Sequence, residues 1–127
     1  MGDERPCVMV VDADPESLAS HFRLLSDRGF RVATYTSPVP SYGYAAAERP
    51  EAILTSLRFP ECDGLTVLRR LKEASPRSHL LVRASVGDHP SPGDAAKLGA
   101  EVIDPGSDVL LRRLEEAVGE LPVSSDR

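Results

Sequence analysis

Tryptophan is absent from the 127 residues, and Tyr and Phe bring the aromatic content to only 5%. Stacking platforms for bases or sugar rings are therefore scarce. Basic charge is also short: 15 Lys and Arg against 20 Asp and Glu give a formal net charge of −5. Phosphate contacts along a nucleic acid need a basic face, so direct nucleic-acid binding by this chain is not expected. No apolar run approaches the roughly 20 residues of a membrane span, and the opening residues MGDERP do not read as a secretory signal. The expectation is a cytoplasmic protein without membrane association. Cysteine is limited to Cys7 and Cys62, too few for a disulfide framework and compatible with a reducing compartment. The remainder is ordinary for a folded domain, with 41% hydrophobic and 28% charged residues, which argues against wholesale disorder. The length suits one domain, able to build a core without staples.

Short apolar runs alternate with amphipathic stretches. Cys7 to Val11 is a continuous apolar run ending at Asp12, the pattern of a strand covered on both faces. Asp14-Pro15-Glu16 reads as a helix start, with Asp as N-cap, Pro at the first position and an acid in the first turn. Leu18, Phe22 and Leu25 then recur at helical spacing to about Arg28, with Gly29 closing the helix. A second strand is expected over Phe30 to Tyr35. A helix over Val39 to Ala47 is weakened by Pro38, Pro40 and Gly43. Ala52 to Leu57 is a third strand, and Asp63-Gly64 starts a helix with Leu65, Leu68 and Leu71 on one face and Val67 at its edge. His79 to Ala84 is the fourth strand, followed by a turn-rich loop from Ser85 to Pro92. Ser91-Pro92-Gly93-Asp94 starts a short helix ending near Gly99. Glu101 to Asp104 is a brief fifth strand. Ser107 can cap a last helix whose Leu110, Leu114, Ala117 and Val118 share a face. The domain is expected to occupy residues 1–118. The polar tail 119–127 reads as a tail or the end of a linker; if the chain is part of a longer protein, an output domain is expected after residue 127.

Strands alternating with helices imply right-handed crossovers and a single doubly wound α/β domain, a parallel sheet with helices on both faces. Five strands favour the flavodoxin-like order 2-1-3-4-5, whose crevice lies at the carboxyl ends of strands one and three. That rim nominates Asp12, Asp14, Thr55 and Ser56, with Arg83 and Asp104 added by strands four and five.

At this rim the sequence resembles the receiver domain of two-component response regulators, over about residues 6 to 118. Pro50-Glu51, then Ser56, Pro60 and Asp63-Gly64, match the family's Pro-Asp, phosphoacceptor aspartate, proline and Asp-Gly without a gap. Val10-Val11-Asp12 with Asp14-Pro15 is similar to the family's first strand and acidic loop. Leu98-Gly99-Ala100 is similar to the segment before its fifth strand.

The departures bear on chemistry. The family's paired acids fall on Asp12 and Ala13. Its phosphoacceptor falls on Ser56, and its strand-four Thr or Ser on Arg83 or Ser85. Its Lys-Pro falls on Asp104-Pro105. Receiving a phosphoryl group needs an ionised nucleophile and cations that neutralise the transferring oxygens. The hydroxyl of Ser56 is not ionised at pH 7, and no base accompanies it. Mg²⁺ prefers octahedral oxygen donors including carboxylates, so its binding is expected to be weak or lost. The resemblance therefore implies a degenerate pseudo-receiver with no catalytic residue, no cofactor and no resident metal. Arg83 is expected to pair with Asp12, Asp14 or Asp104, in the space otherwise taken by metal and lysine.

The expected function is phosphorylation-independent signalling through a protein partner or a homodimer, not enzymatic catalysis. By resemblance the contact face is helix four, strand five and helix five, roughly Ser91 to Val118, where exposed Arg112, Arg113, Glu115 and Glu116 offer intersubunit pairs. Two other readings use the same crevice: a small-ligand-binding flavodoxin-like domain, and a still-active receiver with rearranged residues. Against the first, no Gly-rich phosphate loop follows strand one. An enzyme using Ser56 lacks a visible base.

Overall fold

The computed structural model describes residues 5–84, 91–103 and 109–118. Along the chain the elements are β1 (Cys7–Val11), α1 (Pro15–Asp27), β2 (Arg31–Tyr35), α2 (Pro38–Glu48) and β3 (Ala52–Ser56). They continue with α3 (Gly64–Ala74), β4 (His79–Arg83), α4 (Pro92–Lys97), β5 (Glu101–Ile103) and α5 (Val109–Val118). The strands form one sheet in the order β2-β1-β3-β4-β5, and every pairing is parallel. This is the doubly wound flavodoxin-like arrangement expected from the alternation of elements.

Period-two alternation divides each strand's side chains between two cores. Met9, Val11, Ile53, Leu80 and Val82 pack with Ala45 of α2, Val67, Leu68 and Leu71 of α3, and Ala95 of α4. Val8, Val10, Ala52, Leu54, Leu81 and Ile103 pack with Leu18 and Leu25 of α1 and with Leu110 and Leu114 of α5. All five residues of β1 are buried, which explains their unbroken apolar run. Each large apolar side chain buried in this way contributes about 1.5–3 kcal/mol.

Local chemistry sets the helix ends. Asp14 Oδ1 accepts from the Glu16 N–H at 3.1 Å, with Pro15 at the first helical position. Ser91 Oγ accepts from the Asp94 N–H at 3.2 Å. Gly29, at φ 94°, takes the left-handed turn after α1. The prolines of α2 are tolerated because Pro38 and Pro40 lie in its first turn, where the backbone N–H has no helical acceptor.

Three expectations need correction. Phe22 is not in the core: it is 47% exposed, because the second core meets α1 through Leu18 and Leu25. Val67 is fully buried rather than at an edge, while Leu65 is half-buried. Arg113 is not free for a partner: its Nε donates to Glu101 Oε2 and its Nη1 to Glu116 Oε1 at 3.0 Å. Cys7 and Cys62 are both free thiols. Asp104, Ser107, the loop at 85–90 and the tail 119–127 lie outside the described residues.

Candidate functional site

Three strands deliver side chains to one side of the crevice. Asp12 follows β1 directly, and its N–H donates to Tyr35 O at 3.0 Å. Ser56 ends β3, Arg83 ends β4, and the two are register partners. By alternation Asp12 continues the row of Val8 and Val10, Ser56 that of Ala52 and Leu54, and Arg83 that of Leu81. All three therefore fall on the sheet face that carries α1 and α5. Thr55 falls on the opposite face, 1% exposed, with Oγ1 donating to Ser56 O at 3.1 Å. It is a packed strand residue, not part of the Asp12 cluster.

Asp12 is 5% exposed, and both its oxygens are engaged. Oδ1 accepts from the Asp14 N–H at 3.0 Å. Oδ2 accepts from Arg83 Nη1 at 2.7 Å and from Ser17 Oγ at 2.9 Å. Arg83 Nη1 also donates to Ser17 Oγ at 2.9 Å, so the Ser17 hydroxyl accepts from the cation and gives its proton to the carboxylate. The three groups close a triangle of charge-assisted bonds. Asp14 lies outside it: its side chain is exposed and caps α1. Ser56 lies beside it: its Oγ is buried with no hydrogen-bond partner among the described residues.

A fourth group stands behind the triangle. His21 Nδ1 lies 2.8 Å from Ser17 O. A carbonyl only accepts, so Nδ1 carries the proton. Burial lowers the His21 pKa below its ordinary 6.5, and the bond to Ser17 opposes that; the Arg83 cation lowers it further while Asp12 raises it. The lowered pKa favours the neutral ring, beside the Arg83 guanidinium that pairs with Asp12.

Ser17 and His21 were not among the residues nominated from sequence. A signal for both existed. Ser17 lies five residues after Asp12, at the third position of a helix that packs on the same sheet face. His21 follows one turn later, at the spacing that lets a side chain reach back to a helix carbonyl.

A second polar cluster sits at the opposite end of the sheet. Glu101, at the start of β5, faces His79 Nε2 at 2.7 Å and the Arg113 guanidinium. The Arg113 bond, ahead of the opposing effect of burial and a further bond from His79, holds the Glu101 carboxyl below its ordinary value.

Residues 8–103 match the family described as response regulator receiver domain. The chain belongs to that family. This receiver domain is 38% identical over 90 residues to the transcriptional regulatory protein PrrA of Mycobacterium tuberculosis, covering 68% of this chain and 39% of PrrA. It thus spans well under half of that relative's length. Its fold is similar to a receiver domain crystal structure from Clostridium thermocellum, with a TM-score of 0.80, 21% identity, and coverage of 89% of this chain and 94% of the other. FixJ-N is also similar, with a TM-score of 0.76, 28% identity, and coverage of 93% and 94%.

Proposed function

We propose that this receiver domain of a two-component response regulator signals without accepting phosphate, as a protein-contact module held in one arrangement by Arg83. The observation that carries this reading is the ion pair between Arg83 and Asp12. A permanent cation satisfies the one buried carboxylate of the described crevice. A divalent ion would compete with Arg83 and Ser17 for Asp12 Oδ2 and meet the guanidinium charge beside it.

The donor set does not fit Mg²⁺. That ion wants octahedral oxygen ligands, usually with one or two carboxylates. Ala13 adds no ligand, Ser56 offers a neutral hydroxyl, and Asp12 already accepts three hydrogen bonds, one of them from a cation. The acceptor position supplies an un-ionised alcohol with no hydrogen-bond partner among the described residues, and His21 contacts Ser17 rather than Ser56. No group among the described residues takes a proton from Ser56. Losing single charge-stabilising donors from a reacting site costs about 3–4 kcal/mol each. The combined losses reduce phosphotransfer to background.

What remains for such a domain is binding. Protein contact, with no catalysis by the domain itself, is the mode that this chemistry leaves open. Titration with Mg²⁺ and beryllofluoride, followed by amide resonances, tests the reading. The expected result is no saturable shift at residues 12, 56 or 83. Saturable, coincident shifts at all three would instead mark a live receiver with rearranged ligands.

A further inference from the structure

Among the described residues, the large apolar side chains left exposed are Phe22 and Leu24 on α1 and Val39 on α2. Phe22 does not stand alone. With Pro15, Leu18 and Ala19 it walls a groove of about 550 Å³ along α1. The other wall is Thr34 and Thr36, from β2 and the residue after it. Because β2 is the edge strand, the groove lies on the sheet's open flank. Arg23, Ser26 and Asp27 complete the helix side. A contiguous apolar surface rimmed by polar groups marks a contact site.

We propose that this groove is a self-docking face, occupied by α1 of a second copy packed antiparallel about a two-fold axis. The charge pattern selects that occupant. Arg23 and Asp27 lie on the groove side of α1, one turn apart, so the rim is neutral and self-complementary. Antiparallel two-fold packing that sets Arg23 opposite Asp27 of the second copy sets Asp27 opposite the other Arg23 as well. The same register brings Phe22 level with Arg28 of the second copy and within about 3 Å, along the helix axis, of its Ser26. Ser26 is small and half-buried, leaving room for the ring to enter the groove. A parallel arrangement would instead set Arg23 against Arg23. A strongly acidic or basic partner would meet one matching and one opposing charge.

The face expected from family resemblance offers less. Among the described residues of 91–118 no large apolar side chain is exposed, and Arg113 is bound to Glu101. The dimer gives the protein-contact reading its partner. It is measured without phosphodonor or metal, so its failure and the failure of the phosphate-free reading are separate results.

Sedimentation of the full 127-residue chain, from low micromolar to submillimolar concentration, tests it. The expected result is a reversible monomer–dimer equilibrium. Phe22→Ser weakens it at least about tenfold, in line with removal of a buried aromatic anchor. Because Phe22 is largely exposed in the monomer, this variant stays folded and unfolds near the wild-type temperature at concentrations where both are monomeric. Arg23→Asp and Asp27→Arg each weaken association, and mixing the two single variants restores it as a heterodimer. A chain that stays monomeric throughout overturns the proposal and leaves the groove to a different protein. A dimer that none of these substitutions weakens also overturns it, by placing the contact on another face.

Discussion

Arg83 and Asp12 depend on each other for more than attraction. Burying a carboxylate is unfavourable unless it is paired and hydrogen-bonded. Arg83→Ala would leave Asp12 with Ser17 and one backbone N–H. Breaking a buried pair from one side costs about 3–5 kcal/mol. Because Arg83 keeps 20% of its side chain exposed, a loss near the lower end, about 3 kcal/mol, is expected in urea denaturation. The double variant Asp12→Leu/Arg83→Met removes both charges and should recover most of that loss. A change below about 0.5 kcal/mol for Arg83→Ala would place it among ordinary surface substitutions and contradict the ion pair's role. The pairing was legible as a choice among three acids. Between Asp12 and Asp14 the structure selects Asp12, which is buried at the strand end on Arg83's own face, whereas Asp14 turns outward to cap α1; Asp104 lies outside the described residues. Ser17 was not legible as the bridge, because its role depends on how α1 docks over β1 rather than on a sequence pattern.

At the scale of elements, α3 begins under a tight constraint. A Cβ at Gly64 would clash with the backbone carbonyl of Leu57, so the Asp63-Gly64 turn needs glycine for close approach. The adjacent bridge between Arg58 and Asp63 holds the loop shut over that contact. Gly64→Ala should destabilise the domain by about 1–3 kcal/mol, as overpacking does elsewhere, seen as a lower unfolding temperature. Gly43→Ala is the control: nothing lies within 4 Å of the added carbon, and a helix-interior Gly→Ala change is neutral or stabilising. Element order and most boundaries were readable from apolar runs, caps and prolines. The stripe of Leu18, Phe22 and Leu25 was read too widely. Helical periodicity marks an apolar face, but the sheet decides how much of that face it covers, and at the β2 edge it leaves Phe22 outside. In α2 the opposite happened: proline weakened the expected helix because its cost depends on position, and the first turn carries none of it.

Across the whole molecule, two polar clusters at opposite ends of the sheet link stability to pH. His21 has a lowered pKa in the folded state, so below its ordinary 6.5 the unfolded chain binds more protons than the folded one. Stability therefore falls as pH drops from about 6.5. Glu101 has a depressed pKa, and its contribution is present above the ordinary 4.5 and lost as pH falls through its lower folded value. Urea denaturation from pH 8 to pH 3 should show a first decline beginning near 6.5 and a second below 4.5. His21→Gln should flatten the first decline and leave the second, and Glu101→Gln the reverse. The sheet order and the location of the crevice followed from the alternation of strands and helices. Which residues meet there required register and alternation in three dimensions, which separate Ser56 from Thr55 although the two are neighbours in the chain.

Whether position 56 can take up phosphate is read from the covalent state of the chain. The purified chain is incubated with a small phosphodonor and Mg²⁺, and its intact mass is recorded. No adduct is expected, in the wild type and in Arg83→Ala alike, since freeing Asp12 does not create an ionised acceptor at position 56. A base-labile gain of one phosphate mapped to the Asp12–Ser56 crevice would contradict the phosphate-free reading.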